Sequence, residues 1–323
     1  MKSINPLLLE GPARESAYAS HPVVSCSAHV ATPVVEVTEK LISQVVFTRE
    51  VGHYWIGEPR IGKSFAIDLI ADTLAKKFPE ALVQIWIAKD HARESETNFY
   101  ADVLLDLGHG AVRGNMSDKR TDVIQTVIGQ CRSANCKTFV LIADEAQNWG
   151  EFELGNLKGL VNDIVRIGKL TVVTIFFAHP MIETERTKML KFNRTDLIDR
   201  FLAFRHTFGG IGSGEDLKTT LDAYDNPRRH QYPEDSGICF SQFFLPKSYG
   251  FGWRLGQEAE AAWKAFVAAA PLRVDHRSHT ASMNIVAKAI RNFFFLAQDR
   301  EEASLFGADI WTTAFRQAQP SRS

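Results

Sequence analysis

The 323-residue sequence predicts an α/β fold, a parallel sheet flanked by helices, followed by a smaller helical appendage. Three observations predict it. Short apolar runs alternate with amphipathic stretches from about residue 50 to residue 208, the βαβ pattern that builds a parallel sheet. One of those runs leads directly into Gly57-Glu58-Pro59-Arg60-Ile61-Gly62-Lys63-Ser64, which has the spacing G-x-x-x-x-G-K-S. Another, Thr138–Ala143, ends in the carboxylate pair Asp144-Glu145, where open α/β sheets place their ligands.

Residues 1–35 are rich in Pro, Ser and Ala with weak periodicity and read as an extended arm or partly disordered lead-in. A helix is expected over Val37–Val46, then a strand at His53–Ile56. The phosphate loop opens a helix over Lys63–Phe78, with Ile67, Ile70, Leu74 and Phe78 on one stripe. Ala81–Ala88 is a second strand, and helices are expected near Glu96–Leu107 and Arg120–Ala134 across a Gly-rich loop. The Asp144 strand follows, continuous in apolar residues as a strand buried on both faces must be. A helix near Glu153–Ile167, a strand over Leu170–Phe177, further helical segments and a last strand over Phe201–Phe208 complete the core. Gly209-Gly210-Ile211-Gly212 reads as a hinge. Beyond it, helices are expected at Gly214–Tyr224, Leu255–Ala269 and Met283–Leu296, with a Pro-rich irregular stretch between the first two. The expected organisation is an N-terminal extension (1–35), a nucleotide-binding core (36–208) and a helical C-terminal region (209–323).

Composition narrows the function. With 45% hydrophobic and 23% charged residues and a formal charge of −1, there is no global basic field, so any nucleic-acid contact must come from a local patch. Cys26, Cys131, Cys136 and Cys239 contain no C-x-x-C pair, which points to reduced thiols in a cytoplasmic protein rather than zinc. Leu7-Leu8-Leu9 is too short for a signal peptide, and no run approaches a membrane span, so no membrane partner is expected.

The loop carries a mechanism. Backbone N–H groups over Gly57–Gly62 curl around a β-phosphate, and the helix start at Lys63, Ser64 and Phe65 adds its partial positive charge. Lys63 reaches the β- and γ-phosphate oxygens, and the Ser64 hydroxyl is a Mg²⁺ ligand. Four fixed positions of this kind arise by chance in about 1% of chains this long. Asp144 would hold the Mg²⁺ shell and Glu145 would polarise the attacking water. Alone, Asp-Glu after a strand reads equally as favourable charge at a helix N-terminus; with the phosphate loop upstream, the ATP-hydrolysing reading is favoured.

Further residues have two readings each. Arg200, just before the last strand, serves either as an arginine finger reaching a neighbouring subunit's γ-phosphate or as a salt-bridge partner of Asp196 or Asp199. Arg194 and Arg205 compete for the finger role. His179, at the end of the Leu170–Phe177 strand, either senses the γ-phosphate or is a structural histidine, with Thr174 as the alternative sensor. Arg254 either folds onto bound nucleotide or faces solvent at a helix start. Lys89, Arg93, Lys119 and Arg120 are candidate phosphate-backbone contacts, or simply solvated charges.

Together Gly57–Ser64, Asp144-Glu145, a polar strand-end residue, Arg200 and Arg254 resemble an AAA+ ATPase core with a helical lid. More narrowly, Gly57–Ser64, Asp144-Glu145-Ala146-Gln147 and the stretch Tyr249–Phe266, with Gly252-Trp253-Arg254-Leu255 and Trp263, resemble the TnsC/TniB transposition regulators, including those of CRISPR-associated transposons. The resemblance covers roughly residues 36–270. It implies a bacterial, nucleoid-associated ATPase using ATP and Mg²⁺. Subunits would assemble head-to-tail on double-stranded DNA as a ring or helical filament. That homo-oligomer would link a target-selection protein or complex to the transposase, and hydrolysis would disassemble it. His179 departs from the Asn or Thr common at that position. Two other functions share the core motifs: a nucleotide-switched ATPase acting on protein clients, and a helicase-loader or initiator ATPase. The absence of an evident C-terminal helix-turn-helix counts against the initiator version.

Overall fold

The computed structural model describes residues 5–9, 11–28, 30–110, 114–269, 280–300 and 306–319. Contacts divide the chain into two units, residues 37–59 with 63–208, and residues 1–36 with 60–62 and 209–323. In chain order, α1 (Pro12–Ala19) and α2 (Pro22–Ser25) precede α3 (Pro33–Thr48).

The larger unit then runs β1 (His53–Ile56), α4 (Lys63–Lys77), β2 (Ala81–Ile87), α5 (Glu96–Asp106), α6 (Met116–Ser133), β3 (Thr138–Asp144), α7 (Glu151–Gly168), β4 (Thr171–Ala178), α8 (Ile182–Lys191), α9 (Thr195–Phe201) and β5 (Phe204–Thr207). The five strands form one sheet in the order β2-β3-β4-β1-β5, with every pairing parallel. Every residue of β3 is buried, as its continuous apolar run requires, whereas the edge strand β5 exposes most of its residues. The helices bury Val123, Val127, Leu157, Leu160 and Ile164 around Trp86, Phe139 and Leu141. Register levels the carboxyl ends of the central strands. Ile56 lies beside Ala178, and Gly57 N–H continues the ladder by donating to Ala178 O at 3.0 Å. On the other side, Ala88 N–H donates to Asp144 O at 3.0 Å. The phosphate loop, Asp144 and His179 therefore leave the sheet at one edge, the ligand-binding end of an open α/β sheet.

Among the boundaries that differ from expectation, those of α6 and β5 have local reasons. α6 begins a turn earlier than Arg120, because Asn115 and Asp118 form a reciprocal capping box (Asp118 N to Asn115 Oδ1 3.1 Å, Asn115 N to Asp118 Oδ2 3.3 Å). β5 begins at Phe204 rather than Phe201, because Arg194–Phe201 satisfies its backbone as a helix. The ladder to β1 starts only where Ala203 and Phe204 N–H reach Gly52 O.

The smaller unit is helical: α1 and α2, then α10 (Gly214–Tyr224), α11 (Phe240–Phe244), α12 (Pro246–Gly250), α13 (Ala259–Ala269), α14 (Met283–Gln298) and α15 (Ala308–Ala318). Its core includes Leu221, Phe244, Ala262, Phe293 and Trp311, the last two stacked with ring centroids 4.1 Å apart. Glu258 is 2% exposed and accepts from Trp253 Nε1 (3.0 Å), Phe306 N (3.1 Å) and Trp311 Nε1 (3.3 Å), three N–H donors converging on one buried side chain. The expected helix over Leu255–Ala269 is a 3₁₀ turn (Leu255–Glu258) continued by α13. The lead-in is not an extended arm. Prolines at the first turn of α1 and α2 start helices there, and Ala17, Val23 and Val30 are buried in this unit's core.

Candidate functional site

The site is assembled where β1, β3 and β4 end. In the loop after β1, Arg60 (φ +60°) and Gly62 (φ +111°) take left-handed backbone conformations, and the second is one that side chains rarely adopt. Lys63 starts α4 and turns back over the loop, its Nζ donating to Gly57 O (2.8 Å) and Glu58 O (3.1 Å). It is only 6% exposed. Burial pulls its pKa down, and the negative charges of Glu145, Asp144 and Glu58 pull the other way. Among the described residues no carboxylate bonds it, so a buried ammonium faces the loop with carbonyl partners alone. Glu58, Pro59 and Arg60 are exposed at the loop tip, Ile61 is buried, and Phe65 is half-buried in the first turn of α4.

The next residue, Ser64, donates its hydroxyl to Asp144 Oδ2 at 2.6 Å. Asp144 is nearly buried at the end of β3. Burial raises its pKa, and the bonds from Ser64 and from Glu145 N–H (2.8 Å to Oδ1) offset that rise. One hydroxyl and one carboxylate oxygen side by side form a hard-oxygen pair that fits Mg²⁺ alongside phosphate oxygens and water. Among the described residues, no group of three or more His, Cys, Asp or Glu side chains is placed to hold a metal ion without a ligand's help.

Glu145 stands in the left-handed region (φ 54°, ψ 31°), which turns the chain into a 3₁₀ helix over Ala146–Asn148. That short turn ties three strand ends together. Asn148 Nδ2 donates to Ala88 O after β2 (2.9 Å). Gln147 Nε2 donates to Glu145 Oε2 (2.5 Å), while its Oε1 accepts His179 N–H after β4 (2.7 Å). His179 Nδ1 accepts from Met181 N–H (3.2 Å), so the neutral ring carries its proton on Nε2, 3.9 Å from Glu58 Oε2. Gln147 is thus a positioning residue between the carboxylate and the strand-end histidine. In the sequence it stood out only as part of the string Asp144–Gln147; its spacing from Glu145 was the available signal. Thr174 is mid-strand in β4 and buried, with its hydroxyl unpaired.

The remaining predicted residues fall elsewhere. Arg200 ends α9, partly buried, and burial alone lowers its pKa. It bonds to no carboxylate among the described residues, contrary to the salt-bridge reading. Asp196 instead pairs with Lys158 (2.7 Å) and Arg194 (3.1 Å). Arg194 also pairs with Glu151, and Arg205 lies 3.6 Å from Glu183. Arg254, in the helical unit, donates to Tyr249 O (3.0 Å) and Trp253 O (2.7 Å), and its guanidinium sits 3.6 Å from the Tyr249 ring centre. Of the candidate DNA contacts, Lys89 pairs with Asp102 (2.9 Å), Lys119 is buried and Arg120 is paired with Asp163, which leaves Arg93 as the exposed cation of the four. No described helix is long and apolar enough to cross a membrane.

Residues 54–184 match the AAA domain family. No curated protein matches the chain. Among solved structures, the chain resembles the ORC2 protein of Aeropyrum pernix, determined in ADPNP and ADP complexes, with a TM-score of 0.62 at 12% identity over 94% of this chain and 72% of that one. It resembles Cdc6p from Pyrobaculum aerophilum with a TM-score of 0.50 at 12% identity, over 84% of this chain and 63% of that one. Likeness at such identity speaks for fold. With the sheet order, the spacing of Gly57–Ser64 and the AAA domain match, it shows that this chain has the AAA+ P-loop fold with a helical C-terminal region.

Proposed function

We propose that this chain is an Mg²⁺-dependent ATPase that assembles on double-stranded DNA when it holds ATP and regulates DNA transposition. The observation that carries the ATPase reading is the alignment of three groups at one sheet edge. Lys63 is buried with only carbonyl partners among the described residues, Ser64 and Asp144 are 2.6 Å apart, and Glu145 is bonded by Gln147. Lys63 can exchange its carbonyl partners for phosphate oxygens, gaining a charge-assisted bond for its buried ammonium. Ser64 and Asp144 would hold Mg²⁺, which when bound neutralises developing charge on the phosphates. Glu145 accepts the proton of the attacking water, and Gln147 holds its carboxylate in line. Arg200, without a carboxylate partner among the described residues while Arg194 and Arg205 are paired, would act on a neighbouring copy's nucleotide. A residue working across a head-to-tail contact implies a ring or filament.

The transposition reading rests on the resemblance of Gly57–Ser64, Asp144–Gln147 and Tyr249–Phe266 to the TnsC/TniB regulators, which implies a transposase and a target-selection partner. An initiator-type role is the second reading, favoured by likeness to ORC2 over 94% of this chain. Imaging wild-type and Lys63→Ala protein with a non-hydrolysable ATP analogue, with and without duplex DNA, tests the proposal. Rings or filaments are expected only for wild type with both ligands. No assembly under any condition refutes it, and assembly indifferent to DNA moves the function to protein clients. In a reconstituted insertion assay, failure to stimulate a cognate transposase would favour the initiator reading.

A further inference from the structure

We propose that the helical unit carries a peptide-binding groove, lined by Tyr232, Phe240, Phe243, Phe244, Phe295 and Gln298, whose ligand is the chain's own residues 12–25, held there reversibly. The occupant defines the chemistry. Arg14, Tyr18 and His21 are four and three residues apart, so they project from one side of α1 and its continuation. Arg14 donates to the carbonyls of Phe243 (3.1 Å) and Phe244 (3.2 Å), with its guanidinium 5.9 Å from the Phe243 ring centre. These carbonyls lie at the end of α11, where a cation is favoured. Tyr18 stacks on Phe295 (6.0 Å), meets the edge of Phe244 (5.4 Å) and donates to Gln298 Oε1 (3.2 Å). Ser20 and Tyr232 share a hydrogen bond of 2.8 Å.

His21 is the deepest anchor. It is fully buried, with ring centres of Tyr232, Phe240, Phe243 and Phe244 at 4.7, 5.1, 4.6 and 4.7 Å. Burial holds its pKa down at about 3, so it docks neutral. Its Nδ1 accepts from Val23 N–H (3.1 Å), but its Nε2 has no partner among the described residues. A permanent core residue in an aromatic box is normally apolar. An imidazole left half-satisfied there suits a side chain that also spends time in water. The rest of the segment is lightly held: α1 buries only Ala17 and α2 only Val23. Anchors separated by exposed positions are how a helical peptide sits in a groove, rather than how a core helix is built. The recognised ligand is thus a short helix presenting Arg, Tyr and His at successive turns, followed by proline.

Two measurements on the full-length chain test this. Amide exchange should be faster in residues 12–25 than in α10 and α13–α15, and Arg14→Ala/Tyr18→Ala should accelerate it there by about tenfold or more while sparing those helices. A fluorescent peptide of residues 11–28 should then bind the double variant saturably, about tenfold tighter than wild type, whose groove is filled. A peptide carrying His21→Ala should bind about tenfold more weakly. If the double variant does not fold, Arg14→Ala alone, which removes contacts at the groove's rim, carries the same comparison. The proposal is overturned if exchange rises equally across the whole helical unit, if it does not rise in residues 12–25, or if the loosened chain takes up no peptide.

Discussion

Replacing Gln147 by alanine removes two hydrogen bonds at once, one to the Glu145 carboxylate (2.5 Å) and one from His179 N–H (2.7 Å). A bond to a charged acceptor is worth about 1.5–3 kcal/mol and a neutral one about 1 kcal/mol, and partial exposure of this pair favours the lower ends. If about 2 kcal/mol of positioning is lost in the transition state, turnover falls about thirtyfold. The Lys63 and Ser64 contacts do not involve Gln147, so KM for ATP should stay within about twofold. Gln147→Glu should be worse, because a second carboxylate 2.5 Å from Glu145 cannot donate to it. The assay is steady-state ATP turnover with duplex DNA present, resolved into kcat and KM and paired with binding of a fluorescent nucleotide. An unchanged kcat, or a raised KM with kcat intact, would refute the positioning role.

The other expectations concern single groups. Glu145→Gln should bind nucleotide as wild type does yet lose at least about a hundredfold in turnover, since only the proton acceptor is gone; equal turnover would move that role to another residue. For Arg200→Ala, nucleotide affinity of the isolated chain should be unchanged and DNA-stimulated turnover lost, whereas Arg205→Ala should have little effect in the same assay. Glu258→Ala strands three buried donors and should lower unfolding stability by about 3–5 kcal/mol in urea denaturation, and a loss below 1 kcal/mol would show that those N–H groups find other partners. His21, with its pKa depressed to about 3, binds its proton in the unfolded chain first. Its stabilisation is therefore full above about pH 6.5 and falls at up to about 1.4 kcal/mol per pH unit between there and pH 3. Denaturation of His21→Phe across that window should show a shallower slope, and an unaltered slope would mean that another group titrates.

Much of this was legible from residue order. β1, β3 and α10 fall at the bounds expected of them; the two strands are buried along their whole length, so short apolar runs mark them. Gly57–Ser64 and Asp144 stood out by spacing and strand-end position, and the fold brings Ser64 and Asp144 within 2.6 Å. Pairings between distant charges were not legible. Nothing in Asp196-Leu197-Ile198-Asp199-Arg200 reveals that Lys158 and Arg194 claim Asp196 and leave Arg200 without a carboxylate among the described residues. α1 and α2 escaped notice because they are short, begin at prolines and bury one residue each, with no apolar stripe to mark them. α15 escaped because its apolar face, including Trp311 and Phe315, gains meaning only against α13 and α14.

The left-handed backbone at Glu145 has a consequence for how such a chain changes over time. A side chain held at φ 54° costs on the order of 1 kcal/mol relative to asparagine or glycine, which tolerate that conformation more readily. With the role proposed for Glu145, stability and catalysis pull in opposite directions at this one position. Drift unopposed by a need for turnover would drain the carboxylate first and leave a firmer molecule that still grips nucleotide. A copy freed from hydrolytic duty would decay into a permanent clamp before it decayed into an unfolded chain.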